Sequence, residues 1–320
     1  MRTIRVTAVL VLMAALAASG CNRAPSGQNG RPRVALVMKT LNNPFFVEMQ
    51  RGAEQAAKDL NVDLVVQAAE RETDVERQMQ IVENLIQARV SAIALTPSGS
   101  REVVPAVGKA NAAGIPVVVV DTRLDPQAAA AASVKTTTFV GSDNYRGGQM
   151  IGEYLVQASG GKAKAVVLEG IPGHETGDSR MRGFRDAIKG SPGISILASQ
   201  PANWERDQGF TVFQNLMQAH PDVDTVFACN DMMALGAIEA IAAAGKAGKI
   251  RVLGFDAIDD ARQAIKDGRM EATVAQFPRE MGKQAIESAV KALRGEAVPP
   301  EIGVRIGLVT AKNVEETGAK

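Results

Sequence analysis

Two carboxylates stand at the ends of apolar runs that are typical of buried strands. Asp121 follows residues 115–120, and Asp256 follows a second such run. Asn230 comes after a third run, and Gln276 lies after a fourth. Gathered at one sheet edge, such groups can form charge-assisted hydrogen bonds with a ligand rich in hydroxyl groups. The alternative, that each carboxylate only caps the helix that follows it, stays open for either residue taken alone.

More polar and aromatic residues follow the first predicted strand, in the segment that begins at Lys39. Asn43 and Pro44 together predict a helix start, with the asparagine as N-cap and the proline in the first turn. Asn43 and Phe45 suit either a ligand or only the helix cap and the core, and their spacing does not decide between the two. Phe46 is expected in the core.

Arg180 and Trp204 add a cation and an aromatic face. Arg180 is expected one residue into a helix, where its planar guanidinium can bind neighbouring oxygens or simply face solvent. Trp204 is the only tryptophan and follows a predicted strand beside charged residues, which favours a cleft wall over a core position. Opposite Phe45, its ring can cover an apolar face of a ligand.

The residue types give little support for catalysis. The two histidines are His174, in a loop that faces the expected cleft, and His220, at a helix end. No serine or cysteine stands in a nucleophile-elbow pattern, no His/Cys/Asp cluster has metal spacing, and no phosphate-binding glycine motif is present. We therefore expect no enzyme, no cofactor and no metal site.

Composition is that of an ordinary globular protein. The chain has 320 residues, of which 46% are hydrophobic and 22% charged, and its net charge is +1. This charge gives no electrostatic case for a nucleic-acid partner.

The amino terminus predicts export. Residues 1–20 have a basic start and an apolar stretch that is typical of a signal peptide and too short for a comfortable membrane span. The small residues before Cys21 resemble a bacterial lipoprotein cleavage site, so we expect Cys21 to be lipidated and residues 21–32 to form a tether. Ordinary secretion, with Cys21 an incidental residue, is the alternative. With Cys21 lipidated, only Cys229 is left and no internal disulfide can form.

From Arg33 onward, strand and helix patterns alternate, and after Asn144 the alternation begins again. Two such runs predict two α/β lobes, each with a parallel sheet covered by helices on both faces. Within the first run we expect a strand at 62–66, a capping box formed by Thr73 and Glu76, and a surface insertion at 126–134, where the sequence has no matching period.

Several segments together resemble the periplasmic sugar-binding proteins of ABC transporters, in particular the ribose- and allose-binding type. The similarity covers nearly the whole chain after residue 32. The segments that carry it are residues 39–46, 142–144, 199–206, 227–231, 254–256 and 275–276.

The resemblance implies two Rossmann-like lobes joined by a three-segment hinge, the type I periplasmic binding protein fold. The lobes would comprise residues 33–142 with 277–305, and 143–276 with 306–320. It also implies a set of ligand-binding positions, which in this sequence are Lys39, Asn43, Phe45, Thr96, Asp121, Thr122, Ser142, Arg180, Trp204, Asn230, Phe255, Asp256 and Gln276.

Four of these positions differ from the ribose-binding pattern. Lys39 replaces Ser, Thr96 replaces Asn, Thr122 stands where an arginine follows the aspartate, and Trp204 replaces Phe. Allose-binding proteins similarly carry a lysine and a tryptophan at the first and last of these places. The combination favours a hexose such as allose over ribose. Arg123 lies one position after the place where the ribose-binding pattern has its arginine. The sequence does not decide whether Arg123 takes over the role of that arginine.

The resemblance implies an extracytoplasmic, membrane-anchored lipoprotein that captures a monosaccharide. It would act as a monomer and deliver the sugar to the permease and ATPase subunits of an ABC importer. A binding protein that presents its sugar to a chemoreceptor or membrane kinase would share fold and pocket. A sugar-responsive repressor would need an amino-terminal DNA-binding headpiece where the export signal stands, and a periplasmic sugar-processing enzyme would need the missing catalytic residues.

Overall fold

The computed structural model describes residues 30–316, in which strands and helices alternate. The strands are β1 (Arg33–Met38), β2 (Asp63–Ala68), β3 (Ala92–Leu95), β4 (Val117–Val120), β5 (Thr138–Ser142), β6 (Lys162–Glu169), β7 (Gly193–Pro201), β8 (Thr225–Ala228), β9 (Arg251–Leu253), β10 (Ala272–Ala275), β11 (Glu301–Val304) and β12 (Gly307–Thr310). The helices are α1 (Pro44–Leu60), α2 (Val75–Gln87), α3 (Val104–Ala112), α4 (Pro126–Ala131), α5 (Asn144–Ala158), α6 (Glu175–Ile188), α7 (Arg206–Ala219), α8 (Asp231–Ala243), α9 (Asp259–Lys266) and α10 (Pro278–Leu293). The predicted signal peptide, Cys21 and most of the predicted tether lie outside the described residues.

The strands form two six-stranded sheets with the same internal order. The first runs β2-β1-β3-β4-β5-β11, and the second runs β7-β6-β8-β9-β10-β12. Every neighbouring pair is parallel except β10 with β12. Parallel strands need crossover connections, and the helices that supply them cover the sheets. The predicted two-lobed α/β fold is confirmed.

Side chains of β1 show how the first sheet is buried on both faces. Val34, Leu36 and Met38 belong to one apolar cluster, which also contains residues of α1 and α10. Ala35 and Val37 belong to a second cluster, formed with α2 and α3. Successive residues of a strand point to opposite faces, so this split places helices on both sides of the sheet.

The chain passes between the two sheets three times, after β5, after β10 and after β11. Two of these connecting segments touch, because the Arg305 guanidinium lies 3.8 Å from the centroid of the Phe277 ring. Phe277 itself has a positive φ of 55°, which is uncommon for an aromatic residue.

The carboxyl ends of the two sheets face each other. The backbone N–H of Glu175, at the start of α6 in the second lobe, donates to Ser100 Oγ at 3.2 Å. Ser100 lies in the loop after β3 of the first lobe. Residues that follow the strands of both sheets therefore meet at a single interface.

Helix starts show where local sequence signals hold. Asn43 caps α1 as predicted: its Oδ1 accepts the Phe45 N–H at 3.0 Å, and Pro44 is the first helical residue. The predicted capping box is wrong, because α2 begins at Val75 and its N-cap residue is Asp74. Asp74 Oδ2 instead accepts the backbone N–H of Arg71 at 3.0 Å, which stabilises the preceding turn.

The segment 126–134 lies at the surface and begins with α4, whose N-cap residue is Asp125; Asp125 Oδ1 accepts the Ala128 N–H at 2.7 Å. One further expectation is corrected. Arg180 is the sixth residue of α6 rather than close to its start, because the helix already begins at Glu175.

None of the helices between residues 30 and 316 has the length and apolar character to cross a membrane.

Candidate functional site

A pocket lies between the two sheets, at the carboxyl ends of their strands, with a volume of about 270 Å³ that includes space open to solvent. We call it the cleft pocket. Its walls combine polar, charged and aromatic side chains from both lobes. The lining residues are Lys39, Asn43, Phe45, Phe46, Glu72, Asp121, Thr176, Arg180, Trp204, Asn230, Asp256 and Gln276.

A buried lysine between two carboxylates forms the first-lobe side. Lys39 Nζ lies 3.4 Å from Asp121 Oδ2 and 3.6 Å from Glu72 Oε2. Glu72 Oε1 also accepts from Asn43 Nδ2 at 3.2 Å. Burial raises the pKa of the Glu72 carboxyl, while Lys39 acts against that rise. The amide and the ammonium thus hold a carboxylate that the sequence patterns did not indicate.

Asp121 owes its position to the end of β4. Its backbone N–H donates to the Val140 carbonyl at 2.8 Å, and its φ is 65°. Left-handed backbone is uncommon for residues other than glycine, although aspartate tolerates it better than most. The turn directs the carboxylate into the pocket, where Thr122 Oγ1 donates to Asp121 Oδ2 at 3.0 Å.

Arg180 forms the centre of the second-lobe side. Its Nε donates to Asn144 Oδ1 at 2.8 Å, and one terminal nitrogen donates to the Cys229 carbonyl at 2.7 Å. The guanidinium lies 3.8 Å from the centroid of the Phe255 ring. With these contacts fixed, the guanidinium is held in one plane and is pre-organised for hydrogen bonding.

Asp256 occupies the place in the second lobe that Asp121 occupies in the first. It also has a positive φ, 121°, and its backbone N–H donates to the Val274 carbonyl at 2.8 Å. Its Oδ1 accepts from Gln276 Nε2 at 2.6 Å and lies 3.7 Å from Arg180. Burial raises the pKa of the Asp256 carboxyl well above its ordinary value, and Arg180 opposes the rise.

A second carboxylate supports the loop that carries Asp256. Asp231, at the start of α8, is fully buried, and burial raises its pKa to about 7. Its side chain accepts from Thr273 Oγ1 at 2.7 Å and from the Ile258 N–H at 3.0 Å. Its own N–H donates to the Phe255 carbonyl at 2.7 Å. Asp231 therefore fixes both ends of the 255–258 loop without lining the pocket.

Trp204 is placed by its backbone and by a glycine. Asn203 and Trp204 both have positive φ, 52° and 68°, which turns the chain sharply after β7. The indole packs directly on Gly170, where a Cβ atom would overlap its ring. Asn230 Nδ2 donates to the Trp204 carbonyl at 3.1 Å, while Asn230 Oδ1 caps α8. The asparagine therefore caps a helix and braces the aromatic wall.

His174 lies behind this wall as a buried neutral base. Its Nδ1 accepts from Trp204 Nε1 at 3.4 Å, and only 3% of the residue is exposed. Burial and the neighbouring Lys39 charge lower the pKa of His174 to about 3. The imidazole is consequently an acceptor for the indole at neutral pH rather than a cation.

Nine of the thirteen predicted ligand-binding residues line the cleft pocket. The other four are Thr96, Thr122, Ser142 and Phe255, which support residues around it. Thr96 Oγ1 contacts Met49 Sδ at 3.6 Å, and Ser142 Oγ donates to the Gln276 carbonyl at 3.5 Å. Thr122 bonds Asp121, and the Phe255 ring stacks on Arg180, as described above.

Arg123 does not restore the arginine that the ribose-binding pattern would supply. Its guanidinium bonds Glu301 and stacks 3.7 Å from the centroid of the Phe139 ring. It does not line the pocket.

Three lining residues escaped the sequence patterns: Phe46, Glu72 and Thr176. Phe46 was expected in the core, and with 2% exposure it is buried, yet it also lies 5.7 Å from Lys39 Nζ in the pocket wall. Glu72 follows β2 in a loop, and a carboxylate near a strand's carboxyl end is the one signal that could have indicated it. Thr176 lies in the first turn of α6, where the sequence offered no signal of its own.

The arrangement suits a neutral, hydroxyl-rich ligand. Carboxylates and amides accept and donate hydrogen bonds around the rim, the two cations are each paired with carboxylates, and aromatic rings cover the remaining walls. In residues 30–316, no group of three or more His, Cys, Asp or Glu side chains is arranged to hold a metal ion.

Comparison with known proteins gives consistent relatives. A family model described as "Periplasmic binding protein domain" matches residues 34–297. A ribose import binding protein of Salmonella typhimurium is 39% identical over 276 residues, covering 86% of this chain and 90% of the relative. The D-allose-binding periplasmic protein of Escherichia coli is 35% identical over 267 residues, 83% of this chain and 86% of that protein. The crystal structure of an ABC transporter periplasmic solute binding protein from Actinobacillus succinogenes with bound D-allose has a TM-score of 0.83 and 40% identity, covering 89% of this chain and all of that one.

Proposed function

Since this chain belongs to the periplasmic binding protein family, among the sugar-binding proteins of the ribose and allose type, we propose that it captures one monosaccharide in the cleft pocket and delivers it to an ABC importer. The relatives are transport proteins and not enzymes. The proposal assigns ligand contact to the lining residues, with Asp121 and Asp256 accepting from sugar hydroxyls on opposite sides.

One observation carries this proposal. Polar groups from two separate sheets converge on a single space, with an aromatic residue from each lobe, Phe45 and Trp204, in its walls. Each sugar hydroxyl that loses water on binding must find a partner, since an unpaired buried polar group costs about 1–3 kcal/mol. A pocket with this density of donors and acceptors meets that requirement, whereas an apolar ligand would leave them unpaired.

We propose a hexose such as D-allose as the preferred ligand, with ribose second. Lys39 and Trp204 line the pocket, and these are the two positions at which the sequence is similar to allose-binding proteins. The lysine is held by two carboxylates, so its ammonium is fixed beside the ligand space rather than extended into solvent.

Ligand capture would use relative motion of the lobes. We propose that residues 33–142 with 277–305 form one moving body, and 143–276 with 306–320 the other. The three connecting segments near Ser142, Gln276 and Arg305 would then act as the hinge. Support comes from the contact of Arg305 with Phe277, which joins two of those segments.

We also propose that the protein is extracytoplasmic and anchored through a lipid on Cys21, with the permease and ATPase of an importer as partners and a monomer as the working form. The periplasmic family supports the location. The anchor rests on the amino-terminal sequence alone, and mass spectrometry of the amino-terminal peptide from native membranes tests it.

The test of ligand capture is calorimetry of the purified protein against D-allose, D-ribose, other monosaccharides and polyols. A ligand present at one hundred times its dissociation constant should stabilise the fold by about 2.7 kcal/mol, so a melting-temperature screen can precede the titrations. Tight binding of a hexose that Asp121→Ala and Asp256→Ala both abolish, with the fold retained, is the expected result.

Three outcomes would count against these assignments. Wild-type affinity in both aspartate variants would refute the assigned pocket. Preference for ribose would refute the hexose argument from Lys39 and Trp204. Failure to bind any monosaccharide would refute the proposed function.

A further inference from the structure

The hydroxyl of Thr176 is a buried polar group in the wall of the cleft pocket. Only 2% of the residue is exposed, and it stands second in α6. Its Oγ1 has no hydrogen-bond partner among residues 30–316. Nothing in the sequence patterns or in the resemblance pointed to this residue.

Lack of a partner alone does not identify a ligand contact. Five buried side-chain atoms in the described part of the chain accept or donate no hydrogen bond, and they belong to Ser98, Glu175, Thr176, Arg251 and Gln276. Arg251 Nε still lies in an ion pair, 3.2 Å from Glu271 Oε1. Only Thr176 and Gln276 among these residues line the cleft pocket. Gln276 was expected to contact ligand, and its Nε2 is already bonded to Asp256, which leaves Oε1 for another partner. The Thr176 hydroxyl is likewise left for a partner from outside the protein.

The position of Thr176 in the helix explains why its hydroxyl is unpaired. A threonine inside a helix can bond the carbonyl three or four residues earlier, but Thr176 is the second residue of α6 and has no preceding helical turn. Its hydroxyl therefore has no partner within the helix. Its backbone is fixed by α6, and the next residue, Gly177, packs on the Trp204 ring, where a Cβ would lie 3.1 Å away. Thr176 is thus held in the pocket lining, next in sequence to a residue that packs on the aromatic wall.

A hydroxyl is both donor and acceptor, and a sugar hydroxyl has the same two roles. An apolar ligand surface would leave Thr176 Oγ1 unpaired in the bound state. A sugar that lacks the hydroxyl group facing Thr176 would do the same. From the burial, the missing partner and the place in the pocket, we infer that Thr176 binds one hydroxyl group of the sugar and selects against sugars that lack that hydroxyl. This inference rests on the proposed function and adds a specificity-determining residue to it.

The experiment is calorimetry of Thr176→Val with D-allose, or with D-ribose if the wild-type protein prefers it, and with each monodeoxy analogue of that sugar. Valine keeps the branched shape and removes the hydroxyl. We expect the variant to bind the parent sugar about tenfold more weakly, the loss of one hydrogen bond. For one analogue, the variant should bind at least as well as wild type, because the partner hydroxyl is missing in both complexes and only wild type buries an unpaired hydroxyl.

Two further variants separate recognition from folding. Thr176→Ser keeps the hydroxyl and should bind the parent sugar nearly as wild type does. Thr211→Val makes the same exchange on α7, where the exposed hydroxyl only bonds the Asp207 carbonyl at 3.0 Å, and should leave affinity unchanged.

Thr176→Val with wild-type affinity for the parent sugar would overturn the inference and leave the proposed function standing. An equal loss for every analogue would also overturn it, since no single hydroxyl would then be recognised. A wild-type protein that binds no monosaccharide would refute the proposed function, and this inference with it.

Discussion

His174 should make the stability of this protein depend on pH below about 6.5. In the folded state, burial and the Lys39 charge lower its pKa to about 3, from 6.5 for a free side chain. Protonation would also remove the acceptor that Nδ1 offers to Trp204. The unfolded chain therefore takes up a proton near pH 6.5, while the folded protein does so only near pH 3. The stability present above pH 6.5 is lost as pH falls through this window.

The magnitude follows from the width of the window. Each pH unit below 6.5 lowers the free energy of unfolding by about 1.4 kcal/mol, which gives about 2 kcal/mol at pH 5. The buried carboxyls of Glu72, Asp231 and Asp256 act in the opposite direction. Their pKa values are raised in the folded state, so they favour folding as pH falls toward their unfolded values. The measured pH dependence of the unfolding free energy is the sum over all these groups. The contribution of His174 is therefore obtained from the difference between wild type and a His174 variant.

The assay is urea denaturation of wild type and His174→Asn at pH 7.5, 6.5, 5.5 and 5.0. Asparagine offers an acceptor for the indole and suits the N-cap position, which His174 occupies without a side-chain cap bond, and it cannot take up a proton. The difference in unfolding free energy between the two proteins should shift by about 2 kcal/mol in favour of the variant from pH 7.5 to 5. His220→Asn, the same exchange at the other histidine, is the control and should follow wild type. A wild-type curve parallel to that of His174→Asn would refute the reasoning.

Three other substitutions or treatments test separate parts of the site. Glu72→Gln should weaken hexose binding about tenfold, because a charge-assisted partner for the ligand is lost, whereas Glu70→Gln at an exposed position should not. Gly170→Ala should displace the indole ring and cost about 1–3 kcal/mol, seen as a lower urea midpoint and red-shifted tryptophan fluorescence. Gly190→Ala has open space for its methyl group and should change neither signal. The Cys229 thiol is fully buried, and burial raises its pKa to about 12, so iodoacetamide should label it only in urea. Labelling of the native protein on the peptide that contains it would contradict this placement.

The sequence was most informative where an apolar run ends in a polar residue. Asp121 and Asp256 were found in this way, because a parallel strand that is buried on both faces must deliver its next residue to the sheet edge. The two-lobed fold was likewise predictable, since strand and helix periods alternate in two separate runs. These signals come from residues that are neighbours in the sequence, so they can be recognised without knowing which helices and strands pack together.

Glu72 shows why other parts of the site could not be predicted. The strand before it was expected at 62–66, but β2 runs from Asp63 to Ala68. Its loop is then held by contacts distant in sequence, because Thr40 Oγ1 and Asn42 Nδ2 both donate to the Glu70 carbonyl at 2.8 Å. No periodicity in the loop encodes those bonds. Thr73 was misjudged for the same reason, since a turn bonded by Asp74 competes with the capping box.

Backbone conformation is the other part that escaped the sequence patterns. Trp204 was expected at the cleft, but not the two consecutive left-handed residues that aim its ring. Nor could Gly170 be connected with it, although that glycine is what leaves room for the indole. Gly170 follows β6 and Trp204 follows β7, so their contact depends on how two segments distant in sequence pack together.

The last strands of the two sheets lie within ten residues of each other, with β11 at Glu301–Val304 and β12 at Gly307–Thr310. Neither sheet can therefore be completed until the chain has been synthesised beyond residue 300. The first sheet also needs α10 for its core. This helix packs on the first sheet, but in the sequence it comes after β6 to β10 of the second sheet. A nascent chain of this topology stays incompletely folded while ribosomes extend it, because its non-local pairings close late. The contacts that complete each sheet therefore join residues far apart in sequence, and topologies of this kind fold slowly.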